Sequence, residues 1–460
     1  MKDIRELIYD KYIKPTEADR KTYVGVEIEM PVVNLSGEAT SHNVSRKAFG
    51  SVVEQLGLKQ VKFDNRGYNH EALNEKNGDL FCENQIEINT GVSSNEEDTI
   101  NELESYERHV REILRNLPEK EYVWHFSNPP YIKDEEDIPV ATFTGPLYDK
   151  TLYRDYLAKM YGKYKMTFSG IHVNFSLGEE LIMAEYDASR SDLPLREFKN
   201  RIYLDLASNL VSDGWIINVL LSASPVLDGS FLEQGVKGKT DFLGMASVRC
   251  SELGYWNLFI PVLDYTGTKA YADSIRKYIN DGLITSQTEL YYPVRIKPRG
   301  PNSLEILEEK GINHIELRNI DINPYAYGGL DVRDLKFIRM LALYEASRPA
   351  ENLSEERQIK SAINFKNAAH FNLDTNRIML SDGRFVTLRE ASLELLGNIE
   401  EFYGGLYSEL SEKQASEITE IIAYQKAKID GTGKRYAERV LEDYGNDFLG
   451  NGLKTVTANS

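Results

Sequence analysis

Residues 23–30 read YVGVEIEM, and the strict alternation in this stretch decides the fold. Successive side chains of a β-strand point to opposite faces of a sheet. One face of the predicted strand carries Val24, Val26, Ile28 and Met30. The other face carries Glu27 and Glu29, so the stretch predicts a strand with an apolar side for a core and a carboxylate side for chemistry.

Three further segments repeat this alternation: ENQIEIN at 83–89, GIHVNFSL at 170–177 and HIELRNI at 314–320. Their apolar faces carry Ile86, Ile88, Ile171, Val173, Phe175, Leu177, Ile315 and Leu317. Their polar faces carry Glu83, Gln85, Glu87, Asn89, His172, Asn174, Ser176, His314, Glu316 and Arg318. The simplest assembly is one sheet with helices packed on its apolar side.

The polar side of this predicted sheet is rich in metal-ligand chemistry. It gathers Glu27, Glu29, Glu83, Glu87, His172 and Glu316. Carboxylates at close quarters repel one another unless cations lie between them. Hard divalent cations prefer oxygen ligands with an occasional imidazole, so magnesium or manganese is expected. The alternative is a solvated sheet face, but such faces are usually Thr, Lys and Ser, whereas three of these strands repeat Glu.

Basic residues alternate with apolar ones in two more segments, SVRCSELGY at 247–255 and YYPVRIKP at 291–298. As predicted strands, they turn Arg249, Arg295 and Lys297 to one face, and Arg318 adds a further cation. Such groups suit phosphates and a substrate carboxylate, and arginine makes bidentate contacts. Surface solubility is the alternative for Arg295 and Lys297. Metals and cations around one cleft favour phosphoryl transfer.

Composition narrows the class of protein. The chain has 460 residues and a formal net charge of −18, which argues against nucleic acid and anionic membranes as partners. Two cysteines, Cys82 and Cys250, give no disulfide framework and indicate a reducing compartment. The spacing of Ile4, Leu7, Ile8 and Tyr12 predicts an amphipathic helix instead of a signal peptide. We therefore expect a cytoplasmic protein.

Helical spacing of apolar residues predicts helices over 100–117 and 332–341, the first opened by residues 93–95 and stopped by Pro118. From residue 388 onward the chain is predicted to be helical, with breaks at 404–405 and 430–433. Walker A, dinucleotide, GxSxG and HExxH motifs do not occur in the sequence. Cys250 falls with the apolar residues, which predicts a buried thiol and no nucleophile.

The motifs together resemble the bacterial glutamate–cysteine ligases, a family that shares a catalytic scaffold with glutamine synthetase. The resemblance rests on GVEIEM, ENQIEINTG, TLYRDYLAKMYG, MTFSGIHVNFSL, ASVRCSELGY, YYPVRIKP and HIELRNIDINPY, in family order between residues 25 and 325. It implies an α+β fold: a curved, mainly antiparallel sheet with a funnel-shaped active site, helices on its apolar face and a helical C-terminal part. Residues 1–350 would form the ligase core, and residues 351–460 a helical region packed on it.

The resemblance also implies roles for single residues. Glu27, Glu29, Glu87, His172 and Glu316 match metal-ligand positions, and Glu316 with Arg318 would be catalytic, Arg318 contacting the transferred phosphate. Tyr153, Arg249, Tyr255 and Tyr292 match the surroundings of the amino-acid pocket, and Arg154 matches a nucleotide-side arginine. Arg295 and Lys297, assigned from the strand pattern, would join Arg154 and Arg318 at ATP.

The function that the resemblance implies is ATP-dependent ligation of the glutamate γ-carboxylate to the amine of cysteine, with two or three magnesium or manganese ions. It would proceed through a γ-glutamyl phosphate and belong to glutathione biosynthesis. Three alternatives stay open: a γ-glutamyl ligase for another amine, a non-catalytic protein that binds glutamate or nucleotide, and a metal-dependent hydrolase.

Overall fold

The computed structural model of the protein describes residues 22–38, 61–63, 85–117, 120–138, 140, 145 and 148–458. The strands within these residues are β1 (Thr22–Asn34), β2 (Val61–Phe63), β3 (Gln85–Asn89), β4 (Glu121–Val123), β5 (Ile171–Leu177), β6 (Val226–Asp228), β7 (Thr240–Phe242), β8 (Val294–Pro298), β9 (Ile312–Ile320), β10 (Arg377–Met379) and β11 (Phe385–Thr387). Other predicted features lie outside the described residues, namely the helix from Ile4 to Tyr12, Cys82, Glu83 and Pro118.

The main sheet is antiparallel throughout its described pairs. Its order is β2-β3-β1-β5-β9-β8, and β4 joins as a seventh strand by pairing with the end of β1. Two small sheets, β6-β7 and β10-β11, lie apart from it. The predicted strands at 23–30, 170–177 and 314–320 are therefore neighbours at the centre of one sheet, and the predicted α+β class is confirmed.

Helices account for most of the remaining chain. They are α1 (Glu96–Arg115), α2 (Tyr148–Tyr161), α3 (Glu179–Ser189), α4 (Leu195–Asp213), α5 (Trp215–Leu221), α6 (Thr268–Asn280), α7 (Leu304–Lys310), α8 (Val332–Ser347), α9 (Glu355–Asn367), α10 (Leu388–Gly404), α11 (Glu412–Asp430), α12 (Tyr436–Tyr444) and α13 (Phe448–Ala458). No helix of the described ranges has both the length and the apolarity needed to cross a membrane.

Local signals explain where the C-terminal helices begin and end. Thr387 and Glu390 form a capping box at the start of α10, and Ser411 with Gln414 forms another at the start of α11. Each box satisfies backbone donors that a helix start leaves unpaired. Gly431 ends α11 with a φ of 87°, a left-handed conformation that glycine adopts without steric cost. The predicted breaks near 404–405 and 430–433 are confirmed.

The core lies on the face of the sheet opposite Glu27 and Glu29. Its strand residues include Val26, Ile28, Met30, Ile88, Val173 and Leu317, all essentially inaccessible to solvent. Helix α1 packs on β1 and β3, while α4 packs on β8 and β9. Helix α8 lies over both and contacts α11 in turn, so the C-terminal helices form a second layer.

The segment 247–255 is not the predicted strand. It forms consecutive turns, with the Ser251 N–H donating to the Ser247 carbonyl over 3.1 Å. Ser247, two residues before Arg249, is completely buried, and its hydroxyl donates to Asp321 over 3.1 Å. A short run of alternating residues is compatible with a turn as well as with a strand. Here the hydrogen bond to the buried Asp321 carboxylate, distant in the chain, favours the turn. Cys250 is buried, as predicted.

Candidate active site

The register of the central strands brings the predicted site residues together across the sheet. Glu29 on β1 lies opposite Glu87 on β3, and Glu27 lies opposite His172 on β5. Glu316 on β9 lies opposite Asn174 on β5 and Arg295 on β8. Residues directly opposite in antiparallel strands share a face of the sheet. The polar faces of the strands therefore form one continuous row of polar side chains across the sheet.

Glu27, His172 and Glu316 form a compact group of ligand atoms. One donor atom from each lies within 4.8 Å of the other two. His172 Nδ1 is 3.4 Å from Glu27 Oε2 and 4.0 Å from Glu316 Oε1. Burial lowers the pKa of His172 to about 4, helped by the charge of Arg318, so its imidazole is neutral at pH 7. A neutral imidazole between two carboxylates is a donor set that binds a divalent cation.

Glu29 and Glu87 extend this group along β1 and β3. Desolvation and the neighbouring Glu87 together raise the pKa of Glu29 to about 7, against the influence of Arg318 and Arg249. Amide groups orient the carboxylates: Asn89 Nδ2 donates to Glu87 over 3.0 Å, and Asn174 Nδ2 donates to Glu27 over 3.0 Å. An excess of negative charge that perturbs a carboxyl group in this way is expected where a cation binds.

Glu316 connects the carboxylates to the basic residues. Its Oε2 lies 3.2 Å from Arg318 Nη1, 3.3 Å from Lys297 Nζ and 3.7 Å from Arg295 Nε. Burial would raise the pKa of Glu316, but Lys297, Arg318 and Arg295 outweigh it and hold the pKa well below its usual range. Glu316 is thus a buried carboxylate with cations at one oxygen and His172 at the other.

A β-bulge lies next to Arg318 on β9. Ile171 pairs with Ile320 and Val173 with Leu317, so β9 has one more residue than β5 across this interval. The Arg318 side chain stays on the polar face with Glu316, whereas Asn319 turns to the helices and donates to Asn218 over 2.6 Å. Bulges often redirect side chains next to active sites.

Arg249 reaches the site from the turn at 247–255 and not from a strand. Its guanidinium donates to the Arg318 carbonyl over 2.9 Å and to the Ile320 carbonyl over 3.2 Å. The turn is anchored by Asp321, which accepts from Ser224 over 2.6 Å and from Ser247 over 3.1 Å. Arg249 therefore lies beside the carboxylates as the alternation predicted, for a different structural reason.

Two of the predicted pocket tyrosines, Tyr153 and Tyr255, lie in one aromatic cluster. Tyr255 contacts Tyr291 with ring centroids 3.8 Å apart and Tyr161 at 5.3 Å, and Tyr161 contacts Tyr291 at 5.5 Å. Tyr153 on α2 packs in the same cluster. Tyr161 and Tyr291 were missed by the sequence analysis, although both lie in motifs that carry the resemblance.

Tyr292 lies apart from this cluster. It is 2% exposed and belongs to the main core, where burial, with a smaller effect of Tyr271 and Tyr278, raises the pKa of Tyr292. The structure therefore brings Tyr291 to Tyr255, and not Tyr292. Strand β8 begins at Val294, after both tyrosines, so alternation along a strand does not apply to them.

Arg154 lies on α2, and His314 lies at one end of the polar row. Arg154 is on the buried face of α2, and its Nη1 donates to the Lys150 carbonyl over 3.0 Å. His314 on β9 lies opposite Lys297, and burial lowers its pKa. His314 thus extends the polar row beyond Glu316 toward the end of β8.

The site combines acidic, imidazole and basic groups on one open sheet face, next to an aromatic cluster. Acidic groups can hold divalent cations, and basic groups can bind phosphates. Cys250 is excluded as a nucleophile because burial raises its pKa to about 11. The fold and the site together define an α+β protein with the parts of a metal-assisted phosphoryl-transfer enzyme.

Comparison with known proteins identifies the family. The sequence profile of the glutamate–cysteine ligases matches residues 70–280 and 257–368. The glutathione biosynthesis bifunctional protein GshAB of Listeria monocytogenes serotype 4b is 33% identical over 369 residues, which are 79% of this chain and 47% of that protein. The chain belongs to the glutamate–cysteine ligase family. It spans about half the length of the curated relatives it matches.

Solved structures share the fold. The bifunctional glutathione synthetase of Pasteurella multocida matches with a TM-score of 0.75 and 23% identity, over 99% of this chain and 53% of that one. The glutamate–cysteine ligase of Francisella tularensis, solved in complex with AMP, matches with a TM-score of 0.76 and 19% identity, over 95% and 88% of the two chains. The architecture built from the four alternating segments is therefore the architecture of these ligases.

Proposed function

We propose that this protein is an ATP-dependent ligase that joins the γ-carboxylate of glutamate to the amine of cysteine. The observation that carries the proposal is the arrangement at Glu316, a buried carboxylate that contacts three cations at one oxygen and faces His172 and Glu27 with the other. The relatives support it: one is named for glutathione biosynthesis, and another is a glutamate–cysteine ligase in complex with AMP.

Glu27, Glu29, Glu87, His172 and Glu316 would hold two or three magnesium or manganese ions, with Glu83 as a further ligand. The donor set fits because the carboxylate oxygens of Glu27 and Glu316 and the neutral imidazole of His172 converge within 4.8 Å. Bound ions would supply charge neutralisation for the phosphates of ATP.

In the proposed reaction, Arg295, Lys297 and Arg318 orient the phosphates of ATP, together with Arg154. The glutamate γ-carboxylate attacks the terminal phosphorus, ADP leaves, and Arg318 stabilises the charge on the transferred group. The amine then attacks the acyl phosphate, the amide bond forms, and phosphate departs with the proton of the amine passing to solvent. A protein nucleophile is not needed, which agrees with the inert Cys250.

The amino acids would bind between Arg249 and the aromatic cluster. Arg249 offers a guanidinium for a substrate carboxylate, and Tyr153 and Tyr255 line the adjacent wall. Tyr291, instead of the predicted Tyr292, would complete this wall. We further propose that residues 1–350 form the catalytic core and residues 351–460 a helical region packed on it. Contacts of α8 with α11 and of β6 with α12 and α13 support this division.

Purified protein with ATP, magnesium and glutamate tests the function. ADP release would be measured before and after adding cysteine, then other amines, with mass detection of the product. Strong stimulation by cysteine and a γ-glutamylcysteine product are expected. Stimulation by a different amine instead would reassign the substrate, activity without ATP would favour a hydrolase, and no stimulation by any amine would favour a binding protein.

A further inference from the structure

Glu289 is a completely buried carboxylate that the proposed reaction does not use. It lies in the short helical turn Gln287–Glu289, between α6 and β8. The described residues form no ion pair with it, so neutral donors alone satisfy its charge. A buried carboxylate with only neutral partners is costly unless its oxygens are fully hydrogen-bonded.

Each of the two carboxylate oxygens of Glu289 accepts two hydrogen bonds. Oε1 accepts from Tyr161 over 2.8 Å and from Tyr156 over 3.1 Å. Oε2 accepts from the Thr285 N–H over 2.7 Å and from its hydroxyl over 2.9 Å. The side chain thereby joins α2 to the segment that leads into β8.

The main chain around Glu289 makes a second connection. Asn257 donates to the Glu289 carbonyl over 2.7 Å and accepts from the Tyr291 N–H over 2.8 Å. Arg295 donates to the Gln287 carbonyl over 3.3 Å. Glu289 is thus at the junction of three segments, and each of them supplies one ring of the Tyr161–Tyr255–Tyr291 cluster.

We propose that Glu289 is a positioning residue for the amine substrate, holding the three rings as a fixed wall against which the side chain of that substrate binds. The inference rests on the proposed function. The Tyr161 hydroxyl donates to Glu289 over 2.8 Å and accepts from Asn257 over 3.3 Å, so its hydrogen bonds are made within this junction. A rigid aromatic wall favours a small, uncharged side chain such as a thiol, because sulfur contacts ring edges favourably.

The test compares Glu289→Ala with Glu289→Gln and with Tyr161→Phe, which keeps the ring but removes one donor. We expect Glu289→Ala to raise the KM for the amine by roughly 10-fold or more while the KM values for ATP and glutamate change little. Glu289→Gln should rescue part of the loss, because its amide oxygen still accepts. Tyr161→Phe should give a smaller rise in the same KM.

Glu345→Ala is the matched control, since Glu345 on α8 is also completely buried but pairs with Arg348, directly after that helix. It should lower the melting temperature and leave the amine KM unchanged. An amine KM that stays at the wild-type value in folded Glu289→Gln and Tyr161→Phe would overturn the inference alone. A wild-type protein that joins no amine at all would overturn the proposed function, and this inference with it.

Discussion

The guanidinium of Arg249 lies in the space that a side chain on Gly170 would occupy. A Cβ built on Gly170 would be 2.2 Å from Arg249 Cζ and 2.4 Å from Nε. Gly170 comes directly before β5, and its carbonyl accepts from the Glu29 N–H over 3.0 Å. The glycine at the edge of a strand therefore makes room for a cation beside the carboxylates.

Gly170→Ala should displace Arg249 and reduce ligase activity by about 100-fold, as misplacement of a binding group by about 1 Å can do. Steady-state kinetics with glutamate as the varied substrate would measure the loss. Gly397→Ala is the control, because Gly397 lies within α10 and has open space around it. It should leave activity unchanged and stabilise the helix by about 0.5–1 kcal/mol. Equal activities of the two variants would contradict the role of Arg249.

Glu316→Gln should reduce ADP release by about 100-fold or more while the chain still folds, because the neutral amide no longer balances the surrounding cations. The variant should also unfold at a lower temperature, since Arg295 loses its buried partner. Glu308→Gln is a control that removes a carboxylate 2.6 Å from Arg276 near the surface. It should keep both activity and melting temperature, and wild-type activity in Glu316→Gln would contradict the site.

Manganese should bind the cluster of Glu27, His172 and Glu316 without nucleotide. The melting temperature should rise with MnCl2 and fall again with a chelator, because an ion that binds only the folded state stabilises it by about 2.7 kcal/mol at 100 times its Kd. His172→Ala should weaken this response. His370→Ala should not weaken it, because His370 is not part of the cluster and instead contacts Glu252 over 3.0 Å. Equal responses of the two variants would place the ion elsewhere.

Glu107 should make stability depend on pH between about 4.5 and 7. Burial raises the pKa of Glu107 from 4.5 to about 7 against the influence of Arg111, while burial holds the pKa of the adjacent His125 well below its usual range. The folded state thus keeps the Glu107 proton that the unfolded state releases, and this contribution to stability falls as pH rises, by at most about 1.4 kcal/mol per pH unit.

Urea unfolding at pH 5, 6 and 7 would measure this effect in the wild type and in Glu107→Gln. The difference between their midpoints should shift in favour of the variant as pH rises. A difference that shifts in favour of the wild type would mean that Glu107 is ionised throughout this range in the folded protein.

Lys428→Met should destabilise the whole protein by about 3–5 kcal/mol, because it leaves the Asp334 carboxylate buried without a cation. Lys428 on α11 contacts Asp334 on α8 at 2.8 Å, and both are nearly inaccessible. Lys434→Met removes an exposed contact with Glu442 and should have little effect. One cooperative transition at lower urea is expected, whereas a separate early transition would contradict close packing of residues 351–460 on the core.

The sequence predicted which strand faces carry most residues of the candidate site, because burial enforces the two-residue period of a strand. The period alone assigns Glu27, Glu29, Glu87, His172 and Glu316 to one face, since their neighbours are apolar. The pairing of strands was not predictable in the same way. The bulge on β9, which pairs Ile320 with Ile171 although Ile320 has the same parity as Glu316 and Arg318, depends on contacts between segments distant in the chain.

The errors have the same physical origin. The alternating residues at 247–255 form turns instead of a strand, because the Ser247 hydroxyl is hydrogen-bonded to Asp321, far along the chain. Tyr291 and Tyr292 are adjacent, and without a strand at that point the sequence does not indicate which of them meets Tyr255. Glu289 was not predicted either, since the tyrosines that bind its Oε1 come from α2, more than 120 residues earlier.

The register of β1, β5 and β9 also governs the order of events in folding. Glu27 and His172 are separated by 145 residues, and Glu316 follows after a stretch of similar length. Contacts between such distant residues form slowly, because the entropy cost of closing the long intervening loops comes before the contacts stabilise the fold. A nascent chain released before residue 316 would hold the first two groups without the third. The group formed by Glu27, His172 and Glu316 is therefore complete only when the last central strand joins the sheet.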